Sequence, residues 1–456
     1  MSFLDSNLRD QAAAIASGEL DPGELLEATL ERIEERNGAV NAIVETFPER
    51  SREMLAAAPR APLYGVPVAV KDEWPLPWRA QRLAAAEGMV AASRGESGPY
   101  QALRDAGAVI VGIANMHELG SSSTGNASAY GAAHNPWDTD RCPGGSSSGP
   151  GAAVAARLVP SAVGADGIGS IRYPSAYCGV TGLKPTFGRS AMEGHHMAAA
   201  TTTIVSGPMC ADAADCRLLG SALFREELAA GDAAGLRIGI VPGPVSEDCD
   251  EEVRAACAEA IEALRAGSGG EVREIELEGL EHARIASVLV GTTESLADVS
   301  PMALNAIGDR ITPINRALIK YEMVIPASVL ARAHRVRVMM RRVLARAFEE
   351  VDVIAWPTVP AVAPPLDNPT VQIPSGTYGA DEINTRSGGL ANLTGIPALS
   401  APVGLSDEGL PIGLQLQAAW GNDALLLDAA EALERANGRR WVEAVPPLAR
   451  PAKAPS

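Results

Sequence analysis

Apolar and polar positions along the chain alternate between two periods. Asp21-Pro-Gly-Glu24 places an N-cap acid, a first-turn proline and a glutamate three residues after the cap, and Leu26, Leu30 and Ile33 follow at helical spacing. Asn37-Gly38 predicts the end of that helix. Val66, Val68 and Val70 then mark a short strand, and the apolar Ala69 between them predicts burial on both faces, with Lys71 at the strand's end. Tyr100–Ala106 reads as a helix and Val109–Ile113 as another buried strand. The apolar run Ala152–Val163 predicts a small helix leading into a strand. Further along, strands are predicted over Leu236–Val241, Val272–Leu277 and Val351–Ala355, and an amphipathic helix over Asp250–Leu264. Residues 280–350 read as mostly helical, either a cap over a pocket or helices packed on the sheet. Asn392–Gly404 and Gly409–Leu416 carry two more strands, and Asp423–Ala436 a closing helix. Strand alternating with helix predicts an α/β fold, a single large domain over residues 1–456. Its central sheet is expected to be mixed and mainly parallel, with helices on both faces.

Two segments interrupt this pattern. Cys142–Gly151 is too rich in glycine and serine to hold a regular element, and Gly167–Arg172 brings a second glycine-flanked serine, Ser170. Two serine turns separated by one helix and one strand suggest an active site more than a linker.

Composition narrows the chemistry. The chain has 456 residues, 46% of them hydrophobic, enough for a large core. Its net charge of −18 argues against nucleic acid or an anionic membrane as partner. Six cysteines without a CxxC pair read as reduced thiols, and neither they nor the six histidines form a metal motif. The first residues lack the basic and apolar regions of a signal peptide, and a cytoplasmic location is expected. Only four lysines occur: Lys71, Lys184, Lys320 and Lys453.

A serine nucleophile needs a base, an oxyanion site and a proton for its leaving group. No histidine lies in a glycine-rich or strand-end context; His195 and His196 come closest. Ser170 is not in a GxSxG elbow. A Ser–Lys arrangement is the competent alternative, and Lys71, closing an apolar strand, is the best-placed lysine.

Taken together, Gly65-Val-Pro-Val-Ala-Val-Lys-Asp72, Asn135-Pro-Trp137, Pro143-Gly-Gly-Ser-Ser147, Gly169-Ser-Ile-Arg172, Cys178-Gly-Val-Thr-Gly-Leu-Lys-Pro185, Leu393-Thr-Gly-Ile-Pro397 and Gly409-Leu-Pro-Ile-Gly-Leu-Gln415 resemble the amidase signature family. They run in that family's order across nearly the whole chain, with a core over about 63–225. The resemblance implies a Ser–cis-Ser–Lys triad: Ser170 as nucleophile, Ser146 as proton relay and Lys71 as base. It matches the N–H groups of Gly167, Ile168, Gly169 and Ser170 to the oxyanion hole and Ser122 to the substrate-side lining, with no cofactor. Asp166 and Arg172 read as a structural pair shaping the loop.

Three departures mark the acyl site. Ile168 stands where a glycine is common, so a positive φ there would be strained. Ser148-Gly-Pro150 replaces a second glycine pair. Glu73–Met89, with Trp74 and Trp78, replaces a threonine-rich segment ending in Gly-Ser. The implied activity is hydrolysis of a C–N bond in a small-molecule amide or carbamate, by a monomer or homodimer. The missing glycine–serine segment and the long loop Ser190–Val205 are similar to urethanases. The alternative is the glutaminase component of a transamidation complex, or a related amide hydrolase built from two subunits. A phosphate-binding loop is disfavoured because the Gly-Lys-[Ser/Thr] ending is absent.

Overall fold

A computed structural model of the chain describes residues 3–86, 95–194, 202–296, 310–437 and 446–449. The strands are β1 (Ile43–Thr46), β2 (Pro67–Lys71), β3 (Val109–Ala114), β4 (Ser161–Asp166), β5 (Thr181–Lys184), β6 (Val205–Cys210), β7 (Arg237–Ile240), β8 (Glu271–Glu274), β9 (Val353–Pro357), β10 (Thr370–Ile373), β11 (Gly376–Gly379), β12 (Ala398–Leu405) and β13 (Pro411–Ala418). β10 and β11 form a separate hairpin, and the other eleven build one sheet in the order β1-β3-β2-β4-β6-β5-β12-β13-β9-β7-β8.

The sheet is mixed and covered by helices on both faces, as expected. Its parallel junctions fall into two triplets, β3-β2-β4 and β9-β7-β8. An antiparallel run from β4 through β6, β5, β12 and β13 to β9 joins them. The parallel share is therefore smaller than simple strand–helix alternation predicts. Strands apolar on both faces look alike whichever way they run. Successive residues do face opposite cores: Val68 and Val70 pack into one cluster and Ala69 into another. Val353 and Ala355 likewise join one cluster, and Ile354 and Trp356 a third.

Local signals place most elements well. Asp21 accepts hydrogen bonds from the N–H groups of Gly23 and Glu24, capping the helix Pro22–Arg36. The predicted helix Asp250–Leu264 runs over Glu251–Ser268, with Asp250 as its cap. Val272–Leu277 pairs only as Glu271–Glu274, and Val351–Ala355 is shifted to Val353–Pro357. The run beginning at Asn392 opens not as a strand but as the last turn of a helix, Ala380–Thr394, and its strand starts at Ala398.

That helix has poor intrinsic propensity, because Gly388 and Gly389 in its interior each cost about 1 kcal/mol relative to alanine. Packing is the compensation. A Cβ at Gly388 would collide with the Tyr173 hydroxyl and the Ile168 carbonyl oxygen, and one at Gly389 with Ser287 Oγ. The glycines thus let the helix lie directly on the loop that carries Ser170.

Candidate active site

Ser170 lies between β4 and the helix Arg172–Cys178, in the tight turn Gly167–Ile171. Gly169 takes φ +142°, a conformation suited to glycine, and its missing side chain leaves room for the Tyr173 ring. Tyr173 Oη donates to the Ile168 carbonyl at 2.7 Å. Ile168 is not among the residues with positive φ, so the strain considered for it does not arise. Its side chain points toward the helix Leu280–Leu296, where a Cβ at Gly291 would lie 3.4 Å from Ile168 Cδ1. Gly169→Ala is expected to cost roughly 2 kcal/mol or more, from the backbone penalty and the clash together. Thermal unfolding checks the loss of stability, and a turnover loss larger than Tm explains would show that the turn itself is deformed.

An ion pair fastens the turn from beneath. The Asp166 carboxylate accepts from Arg172 Nε and Nη2, each at 3.0 Å, and from the Ile171 N–H at 3.1 Å. Arg172 also donates to Gln415 Oε1 at 2.7 Å, Asn392 Oδ1 at 2.6 Å and the Gly388 carbonyl at 3.1 Å. Both charged residues are fully buried, and Arg172 is foremost among the partners that hold the Asp166 carboxyl below its ordinary value against the cost of burial. With Ile171 N–H engaged, the N–H groups of Gly167, Ile168, Gly169 and Ser170 meet no acceptor among the described residues.

Ser146 follows a cis Gly145–Ser146 peptide. Its Oγ accepts a 2.8 Å hydrogen bond from Lys71 Nζ at the end of β2. Lys71 Nζ also lies 3.4 Å from the Ala165 carbonyl of β4 and 2.7 Å from Glu73 Oε2. Lys71 and Ser146 are buried, whereas Ser170 is only half-buried. The Ser147 N–H donates to the Ser170 carbonyl at 3.1 Å, stitching the two serine turns together. Ser147 Oγ bonds the backbone of Ala165, a structural role. Pro150 sits in the first turn of the helix Ser148–Ala155, where a helix tolerates a missing N–H.

Other candidate bases and nucleophiles fall away. Lys184 is buried and pushed down to about 7 by desolvation, but its Nζ bonds the Pro185 carbonyl. His117 is buried and pushed down to about 4, so it is neutral, and its ring nitrogens have no hydrogen-bond partner among the described residues. His195 and His196 lie outside the described residues. Burial pushes the Cys142 thiol up to about 12, away from any thiolate.

Ser122 is 9% exposed, and its Oγ donates to the Asp381 carboxylate at 2.8 Å. Ser123 adds its hydroxyl at 2.8 Å and its N–H at 2.5 Å to the same carboxylate. The backbone of this serine loop packs on Gly145, whose N–H donates to the Ser123 carbonyl. Asp381, at the start of the helix Ala380–Thr394, was not signalled by the sequence, since 259 residues separate it from Ser122. Glu118 was missed as well. Buried, it accepts from the Thr312 hydroxyl at 2.6 Å and Asn315 Nδ2 at 2.7 Å, tying the helical region to the loop before Ser122. Among the described residues no cluster suited to a metal ion occurs, and no helix is long and apolar enough to cross a membrane.

The arrangement can pass a proton from a half-buried serine region to a buried amine, beside N–H groups able to hold an oxyanion. Comparison with known proteins agrees with this frame. The family model described as Amidase matches residues 24–427. A glutamyl-tRNA(Gln) amidotransferase subunit of Thermus thermophilus is 34% identical, over 95% of this chain and 97% of the relative. The corresponding subunit of Alkalilimnicola ehrlichii is 32% identical, over 97% and 99%. Among solved structures, one described as an amidase superposes with a TM-score of 0.88 at 29% identity, covering 94% of this chain and 99% of that one. 6-Aminohexanoate cyclic dimer hydrolase gives 0.84 at 27% identity, covering 98% and 100%. A match over most of the chain, together with the Lys71–Ser146 contact beside Ser170, makes the protein a member of the amidase family.

Proposed function

We propose that the chain hydrolyses the C–N bond of a carboxamide by acyl transfer to Ser170. The observation that carries this reading is the buried 2.8 Å contact between Lys71 Nζ and Ser146 Oγ. Ser170 Oγ attacks the carbonyl carbon while its proton passes to Ser146, and the Ser146 proton passes to Lys71. The carbonyl oxygen becomes an oxyanion held by N–H groups of Gly167–Ser170, donors typically worth about 2.7–4 kcal/mol each. As the intermediate collapses, the Lys71 proton returns through Ser146 to the leaving nitrogen, and water then repeats the attack on the acyl-enzyme.

Glutamine is the first substrate to test, with the chain acting as the ammonia-releasing component of a transamidation assembly. That choice rests on the amidotransferase subunits matched over nearly full length. A second reading, a stand-alone hydrolase of small amides, is favoured by the structural likeness to the amidase and to the cyclic dimer hydrolase. The purified chain should be assayed on glutamine, primary amides, anilides and aryl carbamates. Ammonia from glutamine only in the presence of a co-purified partner supports the first reading. Anilide or primary-amide turnover by the chain alone supports the second, and carbamate turnover exceeding both would redirect the assignment to urethanes. No turnover of any of them, with or without a partner, would sink the amide reading.

A further inference from the structure

We infer that Glu73 is a positioning residue for the base, a fourth member that supports the Ser170–Ser146–Lys71 proton path without carrying the proton. This rests on the proposed role of Lys71. The backbone turns immediately after β2, with the Trp74 N–H donating to the Lys71 carbonyl at 3.1 Å. That turn folds residue 73 back beside the lysine. Glu73 Oε2 then lies 2.7 Å from Lys71 Nζ, and the two side chains are 7% and 1% exposed.

Among the described residues no other acid pairs with the amine. The neighbouring Asp72 turns away to Arg79 and the Tyr130 hydroxyl. Asp166 is taken by Arg172 and Asn392. The other elements packed on Nζ offer it the Ser146 hydroxyl and the Ala165 carbonyl. The Glu73 carboxylate is therefore the acid that faces the amine. Its effect on the reaction is direct. When Ser170 attacks, the proton leaving its Oγ is replaced on Ser146 and ends on Lys71, converting amine to ammonium. The Glu73 carboxylate keeps its own charge, stabilises that ammonium and fixes the Nζ position, and it is unchanged when the proton returns to the leaving nitrogen. The role parallels that of the acid orienting a histidine base.

The test uses a fluorophosphonate probe, so it needs no knowledge of the natural substrate. Ser170 Oγ forms a bond to phosphorus, the P–F bond breaks, fluoride leaves, and the serine proton goes to Lys71. Labelling rates of the full chain are measured from pH 5 to 10 for wild type, Glu73→Gln and Glu73→Asp, with Ser170→Ala as the unlabelled control. Removing the carboxylate weakens the base and disfavours its ammonium. Glu73→Gln should therefore label about tenfold more slowly on its plateau, with the acid limb moved to lower pH by about one unit or more. Glu73→Asp should restore most of both. An unmoved limb in Glu73→Gln overturns the inference, whether the rate is unchanged or uniformly reduced. Should Glu73→Gln not fold, Glu73→Ala decides: a limb displaced in the same direction supports the role, and an unmoved limb overturns it. Failure of the wild type to label at Ser170 would instead overturn the nucleophile reading, and this inference with it.

Discussion

Ser170→Ala lowers turnover of any substrate found by at least about 10⁴-fold, and Lys71→Ala does the same, because nucleophile and base act as one unit. The double variant is expected to be no slower than either single one. Ser146→Ala joins the same group, since among the described residues its hydroxyl and the Glu73 carboxylate are the side-chain groups that meet Lys71 Nζ. Stability separates Ser170→Ala from Lys71→Ala. Ser170 is half-buried and its removal leaves Tm within experimental error. Lys71→Ala leaves the buried Glu73 carboxyl without its Nζ partner and should lower Tm by several degrees. Steady-state kinetics with calorimetry on each variant checks both halves. Turnover by Ser170→Ala within tenfold of wild type would remove Ser170 as nucleophile. A double variant much slower than both singles would mean that Lys71 and Ser170 act independently.

Lys71 and the two serine turns stood out as candidates through local traces, a lysine closing an apolar strand and glycines around serines, and through motifs that run in a family's order. The cap at Asp21 is equally local, and the structure reproduces its hydrogen bonds. What escaped depends on distance or on cancellation. The helix Ala380–Thr394 holds two adjacent glycines in its interior, and its last turn, from Asn392, reads with the strand that follows. It exists because its small residues let it seat against Ile168, Tyr173 and Ser287. Asp381, on its first turn, reaches Ser122 only through that seating. Strand direction was hidden for a related reason, since a strand buried on both faces carries no alternation to betray its partners. Ile168, standing where a glycine is common, avoids positive φ as its side chain requires, and the unusual φ belongs to Gly169. Glu73 was visible only as a departure from a family pattern, and its meaning needed the 2.7 Å distance to Lys71.

Arg172→Met is expected to be the most destabilising single change outside the core. It would strand Asp166, which is fully buried, and removing one partner of a buried ion pair typically costs about 3–5 kcal/mol. The Gln415 and Asn392 oxygens and the Gly388 carbonyl would lose their donor as well. The pH dependence distinguishes this cause from simple loss of packing. In the wild type the folded Asp166 carboxyl titrates below its ordinary value of 3.8, so its contribution is present above that pH and is lost as acid protonates it. Without Arg172, burial acts with less opposition and raises the folded value, so stability from this group falls as pH rises through 3.8. The gap in Tm between wild type and variant should therefore be widest near neutral pH and narrow toward pH 3. Adding Asp166→Asn removes the stranded charge and should recover part of the loss, which a cavity alone would not allow. Because Asp166 also holds the Ile171 N–H, at 3.1 Å, the variant should lose turnover by about 10²-fold even at temperatures where it is folded, through displacement of the neighbouring N–H donors. A variant with a pH-independent Tm gap and wild-type turnover would show instead that the pair fills space under the turn without shaping it.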